Sequence, residues 1–413
     1  MEKIVQEYMD MGYSRELAYY KTTMGGLKII TTIDPRVQKA IDDVYSNPEK
    51  CSEIFGYKVD SDVTPQSAIV IMAPDGGIRG LSGGLGKKAG NLVLDRTTVP
   101  RQPGSSIKPI AVYAPAIDSG LVHASTIYKD GPMSFSDGWS PKNSYSDAGD
   151  KTVQVAIQRS SNRIAAQVLR DLGVNEAYSH LKNNLNITSL SESDKNLPAL
   201  SLGGMTKGIS PIEMAAAYAP FINKGVYVKP HIYTKVYDKK GKIVLRGEQG
   251  SKQVISAQTA YIMTELLRRV VTSGTGGLAA ISSGVFTAGK TGTTDDNKDK
   301  WFVGFTPNYV CAVWHGYDRN QVVSTHTSGS QQAFSTILGN IHKEVKTKSI
   351  SAPRGITMIS VCSKTGKRAS DGCTAISLPF TTDNKPTKTC DHKEEKEDDE
   401  EIVDIDDEET EEE

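Results

Sequence analysis

The sequence has no uncharged apolar run of about 18 residues, the length a membrane-crossing helix requires. Its opening stretch, MEKIVQEYMDMGYSRELAYY, is charged and lacks the apolar centre of an export signal. Cysteine is scarce. The chain has five, none in a Cys-x-x-Cys pair, and no His/Cys grouping has zinc-ligand spacing, so no metal site is expected. Cys51 stands alone, and Cys311 falls in an apolar run and reads as a buried thiol. Cys362, Cys373 and Cys390 fall close together in a polar segment, where one disulfide can form in an oxidising compartment. No internal repeat is visible.

A formal net charge of -1 hides a division. Residues 391–413 hold 16 acids and two lysines, which leaves 33 acids and 46 bases on residues 1–390. A block so rich in one charge cannot bury a core and reads as a solvated, disordered tail. The basic body suits an anionic environment.

Residues 1–25 read as helical material in need of a partner. TTIDPRVQKAIDDVYS then marks a helix start: Asp34 caps, Pro35 takes the first helical position, and Val37, Ala40, Ile41 and Val44 share a face. QSAIVIMA and GIRGLSGG read as strands joined by a turn at Pro74–Gly77. Residues 105–275 are mostly helical. Three further strands follow, in GVFTAGKTGTT, KWFVGFTP and YVCAVWHGYD. Two strands, a helical insert and three strands predict one α+β unit with an antiparallel sheet.

Three motifs carry chemistry. Ser105 and Lys108, in RQPGSSIKP, are three residues apart and share a helix face. A serine hydroxyl needs a base, and a lysine serves as one when burial lowers its pKa. Ser-x-x-Lys is weak by itself, since Ser179 and Lys182 also fit it. The second motif is Ser160-Ser161-Asn162, expected on a turn between helices, where a hydroxyl can relay a proton and an amide can hold a peptide group. The third is Lys290-Thr291-Gly292-Thr293 on a strand, a cation and hydroxyls for a carboxylate beside a small residue that admits another backbone. Lys-Thr-Gly recurs at Lys364–Gly366. The first copy is preferred because apolar strand residues follow it, whereas none are expected after the second. The order of the three motifs is far more specific than any one of them.

With these motifs in place, residues 27–320 resemble the transpeptidase half of a class A, bifunctional penicillin-binding protein. LKIITTIDPRVQKA, RQPGSSIKP, LSLGGMTKGISPIEMAAAYAPF, VVTSGTGG and AGKTGTTDDNKDKWFVGFTP carry the resemblance. It implies the penicillin-binding-protein/serine β-lactamase-like fold, an antiparallel sheet with a mostly helical insert. It implies that Ser105 is acylated, Lys108 is its base and Ser160 relays protons. It further implies that Asn162 binds the donor peptide, and that Lys290, Thr291 and Thr293, beside Gly292, receive a carboxylate. The N–H groups of Ser105 and Thr293 would form the oxyanion hole. The partners expected are peptidoglycan stem peptides and β-lactams, with cell-wall synthesis proteins, no nucleic acid and no cofactor.

The expected division is a linker remnant at 1–64, a transpeptidase domain at 65–350, a polar cysteine-containing extension at 351–390 and the acidic tail at 391–413. The family's membrane anchor and glycosyltransferase domain are not in the sequence, so a soluble fragment of a protein at the extracytoplasmic face of the bacterial membrane is expected. Ser-Ser-Asn replaces the Ser-Asp-Asn of class A β-lactamases, which favours a cell-wall enzyme and removes a carboxylate near the site. A D,D-carboxypeptidase or β-lactamase-type hydrolase and a non-catalytic β-lactam sensor stand as alternatives.

Overall fold

Gln66–Met72 is nearly all apolar, without the alternation of a strand wetted on one side. The computed structural model gives the reason: the strand sits within a five-stranded sheet covered on both faces. The structure describes residues 1–56, 64–88, 90, 93–146, 148–247, 250–323 and 328–391. The expected acidic tail, Asp391 apart, lies outside the described residues.

Across the sheet the strands run Ala288–Thr293, Asp299–Phe305, Val310–Gly316, Gln66–Met72 and Ile78–Ser82, every neighbouring pair antiparallel. Alternate side chains serve two cores. Ala68, Val70, Trp301, Val303, Ala312 and Trp314 join a cluster with the helices Pro211–Ile222 and Ala257–Ser273. Ile69, Ile71, Phe302, Cys311 and Val313 face the opposite cluster, with the helices Pro35–Tyr45 and Gly329–Glu344. A large side chain such as Phe302, fully buried, carries ~3–5 kcal/mol against truncation to alanine. The helix start at Asp34 is as expected, with its carboxylate accepting from the Arg36 N–H.

At the ends of the chain, one expectation is met and one needs correction. The helices Glu2–Asp10 and Arg15–Met24 find their partner within the chain. Ile4, Val5, Tyr8 and Ala18 pack with Tyr233, Val236 and Leu245 of a small sheet in which Lys28–Thr31 pairs with Tyr233–Tyr237. At the other end, a strand does follow the second Lys-Thr-Gly. Ile356–Cys362 and Ala375–Thr381 form an antiparallel pair with Lys364–Gly366 in the connection. Val361, Leu378 and Phe380 bury this hairpin in the larger core, which the polar sequence around it conceals. Among the described residues no helix is long and apolar enough to cross a membrane.

Candidate active site

The segment Gly104–Asp118 starts as a single 3₁₀ turn and widens into a π turn and then an α-helix. Gly104 opens it at φ 53°, a left-handed angle that glycine adopts freely. A Cβ there would stand 2.4 Å from the Thr293 carbonyl oxygen. A Cβ on Gly292 would stand 2.3 Å from the Pro103 carbonyl oxygen. The two glycines therefore let the Ser105 loop and the Lys-Thr-Gly strand touch backbone to backbone. Trp301, opposite Gly292 in the ladder, donates its indole N–H to the Gln102 carbonyl at 2.9 Å, and Tyr218 donates to the Ser106 carbonyl at 2.6 Å. The loop is pinned from both sides.

Ser160 ends the helix Val153–Arg159 and precedes the helix Asn162–Leu172, the turn expected for the Ser-Ser-Asn motif. Its backbone is left-handed, φ 61° and ψ 40°. For a serine this costs roughly 1–2 kcal/mol. The strained angle aims both of its oxygens at lysines. Lys108 Nζ donates to the Ser160 carbonyl at 2.8 Å and to Asn162 Oδ1 at 2.6 Å, with Ser160 Oγ at 3.4 Å. Lys290 Nζ donates to Ser160 Oγ at 2.9 Å and to the Thr291 carbonyl at 3.1 Å. Ser160 is thus shared by two fully buried amines. Lys108 makes its hydrogen bonds to Ser160 and Asn162 rather than to Ser105.

Burial, and secondarily the charge of Lys290, holds the Lys108 amine far below the ordinary lysine range; Asp130 and Asp295 oppose the shift. Burial also brings Lys290 down to about 7.

Ser105, Ser160, Asn162, Thr291, Gly292 and Thr293 line one cleft of about 470 Å³, and the two lysines lie beneath it. Every site residue expected from the sequence is brought together here. The decoys are elsewhere. Lys182 is exposed beside Glu192, and Lys364 is exposed on the hairpin.

The sequence did not reveal several contributors. Thr275 bonds Thr291 hydroxyl to hydroxyl at 2.9 Å and lines the same cleft. The carboxylate expected to be missing from the second motif is supplied from elsewhere. Asp130, fully buried, accepts from Ser161 Oγ at 2.9 Å, Asn143 Nδ2 at 2.7 Å and Tyr145 Oη at 2.6 Å. Asn143 in turn accepts from the Asn162 N–H at 2.8 Å. Asp130 sits in an ordinary-looking Asp-Gly turn, so only Ser161, the middle residue of the motif, hinted at a polar partner.

The antiparallel sheet, the insert and this cleft define the penicillin-binding, serine β-lactamase-like fold class. Residues 67–339 match the penicillin-binding protein transpeptidase domain, and the chain belongs to that family. Residues 352–395 match the C-terminal domain of penicillin-binding protein 1A. The chain is 33% identical over 398 residues to penicillin-binding protein 1A of Clostridium tetani, covering 90% of this chain and 50% of that protein. It is 35% identical over 297 residues to penicillin-binding protein 4 of Bacillus subtilis, covering 71% and 45%. It thus spans about half the length of these curated relatives. Penicillin-binding protein 1A from Haemophilus influenzae shares the fold with a TM-score of 0.76 at 20% identity, over 94% of this chain and 77% of that one. The PonA1 protein from Mycobacterium tuberculosis in complex with penicillin V does so with 0.69 at 22%, over 85% and 94%.

Proposed function

We propose that the chain is a peptidoglycan D,D-transpeptidase working through an acyl-serine intermediate. The observation that supports this most is the pair of buried amines, Lys108 and Lys290, sharing Ser160 beside Ser105 in one cleft.

Burial favours the neutral form of the Lys108 amine. Its two N–H bonds go to the Ser160 carbonyl and Asn162 Oδ1, leaving the lone pair for a proton. Ser105 Oγ attacks the carbonyl of the penultimate D-alanine and its proton passes to Lys108. The oxyanion is received by the N–H groups of Ser105 and Thr293, where losing one donor costs about 3 kcal/mol. Ser160 Oγ hands its proton to the leaving amine and is refilled by Lys108 with the proton taken from Ser105, the C–N bond breaks, and the terminal D-alanine departs. An amine from a second stem peptide then attacks the ester and restores Ser105. Lys290, protonated opposite a carboxylate, anchors the donor with the Thr291 and Thr293 hydroxyls. Asn162 gives one amide hydrogen to the Lys142 carbonyl and keeps the other for the donor peptide.

β-Lactams would acylate the same serine, in keeping with the PonA1 protein's complex with penicillin V. The proposed setting is the extracytoplasmic face of the bacterial membrane, among other cell-wall synthesis proteins. Residues 65–350 would be the transpeptidase unit, with 1–64 a linker, 351–390 an extension and 391–413 a tail. A synthetic donor thioester offered with a D-amino acid acceptor tests the activity. Aminolysis product is expected. Free acid alone would make the chain a hydrolase, and neither product would make it a β-lactam binder.

A further inference from the structure

The cysteines that the sequence leaves without ligand spacing are gathered by the fold. The sulfurs of Cys362, Cys373 and Cys390 lie within 4.8 Å of one another. They come from three separate stretches: Cys362 ends a strand, Cys373 precedes the returning strand, and Cys390 lies beside Arg368 through its N–H bond to the Arg368 carbonyl at 2.8 Å. Ten and sixteen residues separate the three along the chain, which is why no short motif announces them.

The sulfurs of Cys390 and Cys373 are placed among donors. Thr365 Oγ1 is 3.2 Å from Cys390 Sγ. The Ser370 N–H and hydroxyl lie 3.5 and 3.6 Å from Cys373 Sγ. The turn Cys362-Ser-Lys-Thr-Gly curls back, with Gly366 left-handed at φ 65° and its N–H on the Cys362 carbonyl at 2.9 Å. Donors around sulfur favour thiolate over thiol. Three adjacent sulfurs cannot all ionise without a cation between them.

We infer that Cys362, Cys373 and Cys390 form a structural site for one soft divalent cation, zinc, bound as a three-thiolate cluster. Thiolates about 2.3 Å from a tetrahedral zinc stand roughly 3.8 Å apart, which the sulfur triangle accommodates. The fourth position is left to solvent. Binding releases the three thiol protons to solvent. One disulfide would strand the third sulfur, whereas a cation uses all three. The cation would tie the hairpin and residues 388–391 together, and through Val361 and Phe380 fasten them to the larger core.

The test is metal content of the purified full chain, prepared with zinc and without chelator. About one zinc per chain is expected, falling below about a tenth in C362S, C373S and C390S and unchanged in C51S and C311S. Cobalt(II) reconstitution should give thiolate-to-cobalt charge-transfer bands that those three variants lose. Far-ultraviolet circular dichroism checks that the variants fold. Should one fail to fold, titration of the wild-type chain with an organomercurial decides, since zinc must leave as three thiols are modified. A wild-type chain without zinc, or one with two of the three sulfurs joined in a disulfide, overturns the inference.

Discussion

The chain contains Lys-Thr-Gly twice, and the fold uses the two copies in opposite ways. At Lys290–Gly292 the backbone is an extended strand, the lysine is fully buried, and the glycine is required because Pro103 stands where a Cβ would go. At Lys364–Gly366 the backbone turns, the lysine is exposed, and the glycine is left-handed. One copy presents a cation to a cleft, while the other curls its Thr-Gly half around a sulfur. What separates them is what packs beside them. The tripeptide carries no chemistry until burial and backbone conformation assign it some.

The largest expected break of this comparison removes what the first copy faces. S105A should abolish the covalent penicillin adduct in intact-protein mass spectrometry, while K364A keeps one adduct per chain. An adduct surviving S105A would place the nucleophile elsewhere.

The glycines come next. G292A must push the Pro103 carbonyl aside, and a displacement of about 1 Å at the nucleophile costs about a hundredfold in acylation. G366A should leave acylation unchanged. Its Cβ would meet the Ser125 carbonyl at 2.1 Å, and the left-handed angle adds roughly 1–2 kcal/mol of strain, so the hairpin should become sensitive to limited proteolysis. Equal acylation by the two variants would erase the distinction drawn between the copies.

K290A should slow acylation by carboxylate-bearing ligands roughly ten- to a hundredfold, since a charge-assisted contact is worth about 1.5–3 kcal/mol. Carboxylate-free esters should lose less. Equal losses would mean that Lys290 does not meet the carboxylate.

A smaller effect lies in pH. Protonating Lys108 removes the base, so acylation should fall toward low pH through its depressed pKa. Deprotonating Lys290 removes the cation, so for carboxylate ligands acylation should also decline as pH rises through about 7. A carboxylate-free ester should keep the first limb and lack the second, a difference that the pH profile of the second-order rate reads directly.

The smallest effect is expected from deleting residues 391–413. Acylation at physiological salt should be nearly unchanged, because charges beyond a Debye length of about 8 Å are screened. A several-fold gain that shrinks with added salt would instead make the tail an electrostatic cover.

How much of this was legible in the sequence follows from distance along the chain. Ser105 and Lys108 are neighbours on one turn, and each motif is local, so residue type and order were enough to find them. The sheet was legible because its central strands carry apolar runs, SAIVIM, WFVGF and VCAVW. Asp130 was not, since its partner Ser161 is 31 residues away and its own Asp-Gly context fits any turn. The sulfur trio needed the hairpin register of 356–381 before its spacing meant anything. The N-terminal helices looked unpartnered because their sheet is completed by Tyr233–Tyr237, roughly 200 residues later.

The middle of the central sheet has a consequence for the order in which the protein can assemble. Gln66–Met72 pairs with Val310–Gly316, Ile71 opposite Cys311, some 240 residues apart in sequence. Loop closure costs only about 0.6 kcal/mol for each doubling of length, so the pairing is thermodynamically cheap. It is kinetically late, because long-range pairings slow folding. A chain emerging from its N-terminus can build the helices of the insert, with Ser105, Lys108 and Ser160, before the Lys290 strand and the two strands that follow it exist. Until residue 316 has arrived, that half-built cleft has no far wall and Gln66–Met72 is paired on one edge only, with Ile78–Ser82. Such an intermediate would expose its apolar edge to aggregation and offer a penicillin no carboxylate anchor. The capacity to be acylated should therefore appear late and abruptly, as the last three strands close the sheet.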